Sequence, residues 1–474
     1  MSVIEQNLTE RQVVVLGGGL AGIAAAVRLA QEHVPVTLVE TSRRLGGRAT
    51  SHVDKTTGQR VDNCQHVLLG CCTNLIDLYR RLGVAGKINW ADVLHFYDKQ
   101  GHHDQMVASD LPAPLHLSES LMRFGTLTLS QKMQIARAML AMMRLGPEGR
   151  ESFADITFEQ WLREHGQSDQ AIQRFWEVIV VSALNQTPRR CSAAYAMQVF
   201  QEGFLAHREA YRMGTAAVPL GELYDTAEHV IENSGGRVMH GASVKRIMYD
   251  GKSVTGVQLA DQQTLTADAY ISALPFDRLD KAADESLHEA DERFVGVKQF
   301  EHSPILGIHM WYAKPVLDGP HMIFVDSPLQ WVFNKGLDAD GSQYLHGVIS
   351  AADVWIDHSA EDILAMAHRE LSAYLPAAEA QGLARGKVIK EKRATFNPAP
   401  GVDAHRPTTC GAVGNLFLAG DWTATGWPAT MEGAARSGYM AAAAAMGRPA
   451  VPAVADLPTA PLVSWVNRLF GPRV

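Results

Sequence analysis

Gly17-Gly18-Gly19-Leu20-Ala21-Gly22 spells GxGxxG, a spacing that does phosphate chemistry with the backbone alone. Gly17 permits a tight turn, Gly19 lets the main chain approach a pyrophosphate, and Gly22 lets a helix pack closely on a strand. With Leu20 and Ala21 between them, these positions are the expected pyrophosphate site, at a helix N-terminus that favours anions. Glu40 follows Gly22 by 18 residues, close to the spacing of a ribose-binding acid, and Thr41 adjoins it. Next comes Arg44-Leu45-Gly46-Gly47-Arg48-Ala49-Thr50-Ser51. Its glycines, Gly47 among them, bring the chain against a cofactor, and Arg44 and Arg48 offer guanidinium donors to its phosphates. Near the other end of the chain, Gly420-Asp421 closes an apolar run and Thr430-Met431-Glu432-Gly433 opens a stretch of small residues. Asp421 is the expected acceptor for cofactor hydroxyls, with Gly420, Thr430, Met431 and Glu432 completing that contact surface.

These residues need rigid elements to hold them. The β-formers Val13–Leu16 read as a buried parallel strand, residues 23–30 as a helix, and Val36–Val39 as a second strand ending at Glu40. A strand over 415–421 and a long Ala-rich helix from about 431 form the distant half. Strands are also expected at Arg237–Met239, 243–249, 253–259 and Ala269–Ser272, with Asp250-Gly251 as a hairpin turn. The rest reads as helices over 127–144, 158–164, 171–184 and 193–205. Strands at 305–311, 331–334 and 346–350 and a helix over 360–374 follow. The halves of the nucleotide site lie almost 400 residues apart, so their domain must be assembled from separate segments, 1–85, 215–295 and 395–450. Residues 86–214 (helical) and 296–394 (mixed) form a substrate domain, and 451–474 a tail.

Composition narrows the function. The chain has 474 residues, 46% apolar and 20% charged, with a net charge of -8 that argues against a nucleic-acid partner. Residues 1–12 carry Glu5 and Glu10 and no apolar run, so no signal peptide is expected. No apolar stretch reaches the roughly 18 residues of a membrane span. Five cysteines, two adjacent and none in CxxC, fit a reducing cytoplasm. His95, His102 and His103 have no companion cysteine or acid at ligand spacing, and no metal is expected. A second GxGxxG is missing, so a built-in nicotinamide domain is not expected and electrons must come from an external donor.

The Arg44–Ser51 stretch resembles the R-x-G-G-R-x-x-S/T motif of the amine oxidase and carotenoid desaturase flavoproteins. Residues 420–438 resemble the C-terminal FAD signature of the same superfamily. The resemblance implies FAD and an α/β fold, a Rossmann-type FAD-binding domain built from discontinuous segments with a second α+β substrate domain. It also implies adenine contact at Val244 and a helix N-terminus at the flavin pyrimidine. Several segments together resemble the squalene-associated FAD-dependent desaturases of hopanoid biosynthesis, the hydroxysqualene dehydroxylases. They include Asp62-Asn63-Cys64-Gln65-His66, Leu184-Asn185, Ser303-Pro304-Ile305, Gln330-Trp331-Val332-Phe333, Ala394-Thr395-Phe396 and Gly426-Trp427-Pro428-Ala429-Thr430. Cys64 departs from the pattern, where glycine is expected, and a positive φ there would strain a cysteine.

That likeness implies loss of a hydroxyl as water and hydride delivery from reduced FAD, on a hydrophobic triterpene. The chemistry needs a proton donor, an enclosed apolar site and a wall that tolerates a developing cation. His66 is the candidate acid, Asp62 its orienting partner, and Trp427 a candidate wall. A structural histidine and plain packing are the competing readings. An oxidative carotenoid-type desaturase, an amine oxidase, or a non-catalytic FAD-binding lipid carrier remain alternatives. A lipid substrate implies a cytoplasmic protein that touches the inner face of the membrane. The apolar, aromatic stretch 462–470, flanked by Arg468 and Arg473, and the Met-rich stretch 133–143 are the candidate contacts, with core packing as the alternative.

Overall fold

The computed structural model describes residues 11–55 and 58–471. Residues 1–10, most of the stretch read as lacking a signal peptide, and Arg473 lie outside the described residues.

A parallel sheet holds the nucleotide motifs. Its strands are β1 (Val13–Leu16), β2 (Val36–Val39), β3 (Arg237–Met239), β4 (Ala269–Ser272) and β5 (Leu416–Leu418), in the order β3-β2-β1-β4-β5. β1 is buried along its whole length, between β2 (Val13 opposite Val36) and β4 (Val13 opposite Ala269), which explains its unbroken run of valines and leucine. The helix after β1, α1 (Leu20–Gln31), begins directly at the extended Gly19 and so earlier than the expected position 23. The Ala-rich helix α2 (Met431–Ala445) packs on α1, and only small residues allow it. A Cβ on Gly438 would lie 2.1 Å from the Ala21 carbonyl oxygen, and one on Gly22 would lie 1.8 Å from that of Gly17. Val244–Tyr249, Val254–Leu259 and Thr264–Leu265 form an antiparallel meander beside this sheet.

A seven-stranded sheet faces it across the molecule, in the order Arg385–Phe396, His302–Tyr312, Gln343–Ile349, Trp331–Leu337, His321–Phe324, Val93–Tyr97, His103–Val107. Its pairings are antiparallel except between His321–Phe324 and Val93–Tyr97. Those last two strands correct the reading of 86–214 as helical. Their signal is a hairpin turn at Asp98–Gly101, where the Asp98 carboxylate accepts the N–H groups of Gln100 and His102 and Gly101 has φ 88°. The helices over the sheet lie close to their expected positions. A π-helical turn at Ile172–Trp176 interrupts one of them, and another at Gln201–Leu205 ends a second.

The tail forms a helix, Pro461–Phe470, that packs against helix Leu129–Arg150 at its Gly146-Pro147 kink. Asn467 Nδ2 donates to the Arg144 carbonyl (3.0 Å), and Val463 and Val466 are buried. The two candidate membrane segments therefore pack on each other. Their outer faces remain open, with Trp465 52%, Leu469 57%, Phe470 57% and Met133 48% exposed. Among the described residues, no helix is long and apolar enough to cross a membrane.

Candidate functional site

A cavity of about 690 Å³ runs from the glycine loop after β1 to the seven-stranded sheet. Gly17, Gly19, Leu20, Ala21, Glu40, Thr41, Gly47, Arg48, Val244, Gly420, Asp421, Thr430 and Met431 line it, and so does His66. Gly19 is extended (φ −73°, ψ −179°), and a Cβ there would meet only the Gly47 Cα, at 4.0 Å. Bare backbone thus borders open space at the N-terminus of α1. The Glu40 carboxylate accepts the N–H groups of Gly18 and Ser42, both at 2.7 Å, leaving lone pairs for ribose hydroxyls. Arg48 donates to Asp421 Oδ1 (2.5 Å) and to the Ala394 carbonyl (2.9 Å), tying the two halves of the site across 373 residues. Thr430 caps α2 through the Gly433 N–H, and Met431 and Ala434 bring that helix start to the cavity wall. An elongated slot with glycine backbone, an acid and a helix N-terminus along it fits a dinucleotide.

The far half of the cavity is lined by Asn63, Cys64, Gln65, His66, Ser182, Ala183, Asn185, Ile305, Trp331, Phe333, Val348 and Ser350. His66 Nδ1 bonds the Cys64 carbonyl oxygen (3.0 Å), which makes Nδ1 the protonated nitrogen and leaves Nε2 without a hydrogen-bond partner among the described residues. Burial holds the imidazole pKa below its ordinary 6.5, the bond to Cys64 working the other way. Cys64 is buried, and burial pushes its thiol up to about 12. It is absent from the positive-φ positions, so the strain expected of a cysteine there does not arise.

Four positions need correction. Asp62 does not meet His66. Its carboxylate is buried, accepts Ser51 Oγ and the Leu220 N–H (both 2.8 Å), and lies 3.8 Å from Lys335 Nζ. Its strand, Arg60–Asp62, ends before the turn that carries His66, so i,i+4 has no helical meaning here. Trp427 is outside the cavity, packed with Cys71 and Ala210 under the Arg436 guanidinium (4.7 Å). Arg44 is exposed and bonds His52 Nδ1 (2.6 Å), pointing away from the phosphate slot. Glu432 is fully buried on the side of α2 away from the cavity. There it caps helix Thr73–Arg81 through the Asn74 and Leu75 N–H groups (3.1 and 2.8 Å) and pairs with Arg436 (2.7 Å). Burial raises its pKa, while Arg436 opposes the rise. Glu432→Ala leaves the buried Asn74 and Leu75 N–H groups without their acceptor and Arg436 with Asp456 as its remaining carboxylate, so we expect about 1–3 kcal/mol lost in urea unfolding, with FAD stoichiometry of the folded fraction unchanged.

Asn185, Trp331 and Phe333 lack a spacing rule that would have found them as site residues. Asn185 ends helix Glu177–Leu184 in the left-handed conformation (φ 54°) and bonds the Ser303 carbonyl, Thr395 Oγ1 and the Ala351 N–H. That conformation suits asparagine better than most side chains. It stitches three segments together at the cavity.

Residues 20–446 match the family described as flavin containing amine oxidoreductase. The chain belongs to that family. FAD is its cofactor, and the protein is a flavin-containing oxidoreductase. The flavoprotein is 27% identical over 462 residues to 15-cis-phytoene desaturase of Synechococcus elongatus, covering 92% of this chain and 96% of the other. It is 26% identical over 443 residues to hydroxysqualene dehydroxylase of Sinorhizobium fredii, covering 91% and 97%. Among solved structures it resembles putrescine oxidase, with TM-score 0.71, 18% identity and coverage of 92% and 99%. An oxidoreductase from Methanosarcina mazei gives 0.69, 17%, 90% and 98%. These last two likenesses establish the fold, a Rossmann-type FAD-binding part built from discontinuous segments with an α+β part beside it.

Proposed function

We propose that this flavoprotein removes the hydroxyl of hydroxysqualene by reduction, giving squalene and water. The observation that carries this reading is His66, a cavity-lining imidazole whose Nδ1 is fixed on the Cys64 carbonyl and whose Nε2 is left to the substrate half. Bound and reduced FAD supplies the hydride. His66, protonated, donates its Nε2 proton to the leaving hydroxyl, because hydroxide leaves poorly without one. The Cys64 carbonyl, in place of Asp62, orients the ring. Asn185 ties three segments together at the cavity, Ser182 Oγ accepts the Trp331 Nε1–H, and the apolar residues Ile305, Phe333 and Val348 keep solvent from the reacting carbon. In this reading residues 1–85, 215–295 and 395–450 hold FAD and 86–214 with 296–394 hold the triterpene. Gly17, Gly19, Leu20, Ala21, Gly47 and Arg48 serve the pyrophosphate. Glu40, Thr41 and Val244 serve the adenosine end, and Gly420, Asp421, Thr430 and Met431 the flavin end. An external donor re-reduces the flavin.

A second reading, oxidative desaturation of a polyene, is supported by the 27% identity to a phytoene desaturase. Anaerobic incubation of photoreduced enzyme with hydroxysqualene, beside aerobic incubation of oxidised enzyme with phytoene, separates them. Squalene in the first and no desaturated polyene in the second is the expected result; the reverse moves the assignment.

The acid role fixes a pH dependence. Burial lowers the His66 pKa, so its protonated form is lost as pH rises through a value below 6.5. kcat/KM should therefore fall with rising pH, with its limb below 6.5, and His66→Gln should flatten that limb. A limb that persists in the variant excludes His66 as its source.

The substrate partitions into lipid, and we propose that the open faces of Pro461–Phe470 and Leu129–Arg150 lie on the membrane surface. Trp465, Leu469 and Phe470 carry the apolar contact and Arg144 and Arg468 the attraction for anionic headgroups. In flotation with anionic liposomes, Trp465→Ser with Phe470→Ser should lower bound protein roughly tenfold or more, since burying two such rings is worth about 3–6 kcal/mol. Equal binding refutes the contact.

A further inference from the structure

The geometry points to Trp331 and Phe333 as the wall that holds positive charge developing on the substrate carbon, with Ser182 as the residue that positions it. The inference rests on the reductive dehydroxylation proposed above, in which the C–O bond breaks toward the oxygen. His66 supplies the proton that turns the hydroxyl into water. The carbon, left with an empty orbital conjugated to the neighbouring double bond, takes the electron pair with the hydride from reduced FAD. Between those events something must stabilise a cation in an apolar cavity.

The residues available are few. Trp331 and Phe333 alternate along strand Trp331–Leu337, so both side chains leave the same face of the sheet, and both line the cavity. Their rings are parallel (4°) with centroids 5.3 Å apart. Rings in contact face to face sit about 3.5–4 Å apart, so these are displaced sideways and each leaves part of its π face uncovered. Among the described residues, Glu391, on edge strand Arg385–Phe396, is the one carboxylate that this sheet contributes to the cavity. It is separated from Trp331 by three inter-strand spacings, about 14 Å. The remaining charged lining residues belong to the nucleotide half. A cation near Trp331 has no carboxylate to meet, and the aromatic faces are what remain.

Two features hold the wall ready. Trp331 Nε1 donates to Ser182 Oγ (2.6 Å), whose own hydroxyl donates to the Val178 carbonyl (2.6 Å), so a helix clamps the indole in one orientation. Beside the pair, on the neighbouring strand and opposite Phe333, sits His321, tilted against both rings at 5.8 and 6.2 Å. Burial, with His95 adding to it, pulls its pKa down to about 4, so it stays neutral and does not compete as a cation for the same faces. Trp427, the wall expected from the sequence, already faces the Arg436 guanidinium and lies outside the cavity.

The test uses FAD-loaded enzyme in detergent micelles and two probes, a long polyprenyl dimethylammonium ion and its uncharged tert-alkyl isostere, with affinities read by equilibrium dialysis. Wild type should prefer the ammonium roughly 5- to 30-fold, the ratio expected of a desolvated cation–π contact. Trp331→Leu should bring the ratio below about twofold while the neutral probe binds as before. Trp331→Phe should keep most of the preference, and Phe333→Leu should lower it in part. Ser182→Ala should keep the neutral probe's affinity yet reduce the ammonium preference, a split that general destabilisation does not produce. No preference in wild type, or a preference untouched in both Trp331→Leu and Phe333→Leu, overturns the assignment. Turnover of hydroxysqualene is scored separately: turnover without ammonium preference removes the wall and leaves the reaction. Preference without turnover removes the reaction and leaves a cation-holding wall.

Discussion

Gly19→Val is expected to give a folded protein that binds no FAD. The backbone at Gly19 is extended, a conformation any residue adopts, and a Cβ there meets nothing in the protein closer than the Gly47 Cα at 4.0 Å. Folding therefore has no reason to fail. The added methyls project into the space between the Gly19 and Gly47 backbones, where a pyrophosphate must approach the N–H groups of α1. Gly22→Val is the contrasting control. Its Cβ lands 1.8 Å from the Gly17 carbonyl oxygen, inside the packed strand–helix contact, so that variant should lose the fold itself. Circular dichroism and flavin absorbance of the two purified proteins distinguish the cases. A yellow, stoichiometric Gly19→Val protein would show that the cofactor does not lie on this loop.

The second large effect is on rate. His66→Ala should retain FAD and fall roughly 10²–10⁴-fold in turnover, the range for losing a general acid. Among the described residues the imidazole bonds the Cys64 carbonyl alone, so its removal leaves one carbonyl oxygen without its donor. Asp62→Asn should behave differently, because Asp62 braces Ser51 and Leu220 and sits near Lys335. It should lose stability more than kcat. If His66→Ala loses FAD in step with activity, the histidine is a structural support of the cofactor rather than the acid.

The glycine-loop half of this cavity was legible because what it presents is backbone, and backbone demands write themselves into glycine spacing. Gly17 and Gly22 are each fixed by a close approach within the protein, Gly19 keeps the cavity open at the start of α1, and the apolar runs of β1 and β2 follow from burial on both faces. The far half was less legible because it is made of side chains brought together from separate elements. Nothing in the spacing of Ser182, Trp331 and Phe333 announces that one helix and one strand meet at a hydrogen bond. Glu432 and Trp427 misled for a related reason. Both sit in a stretch that does reach the cofactor cavity, but α2 has two sides, and Glu432 with Arg436 turns to helix Thr73–Arg81 instead. The hairpin of Val93–Tyr97 and His103–Val107 was missed although its Asp98–Gly101 turn is visible in the residues.

In the proposed reaction hydride reaches the former carbinol carbon from flavin N5 while the hydroxyl leaves as water. Protein carrying FAD, photoreduced anaerobically in D₂O so that the exchangeable N5 position is deuterated, can be given hydroxysqualene for a single turnover. Mass analysis of the extracted hydrocarbon then reads the outcome. Singly deuterated squalene, with the label at the former carbinol carbon, is the expected result. Unlabelled squalene, or unchanged hydroxysqualene recovered from fully reduced, FAD-loaded enzyme, contradicts it.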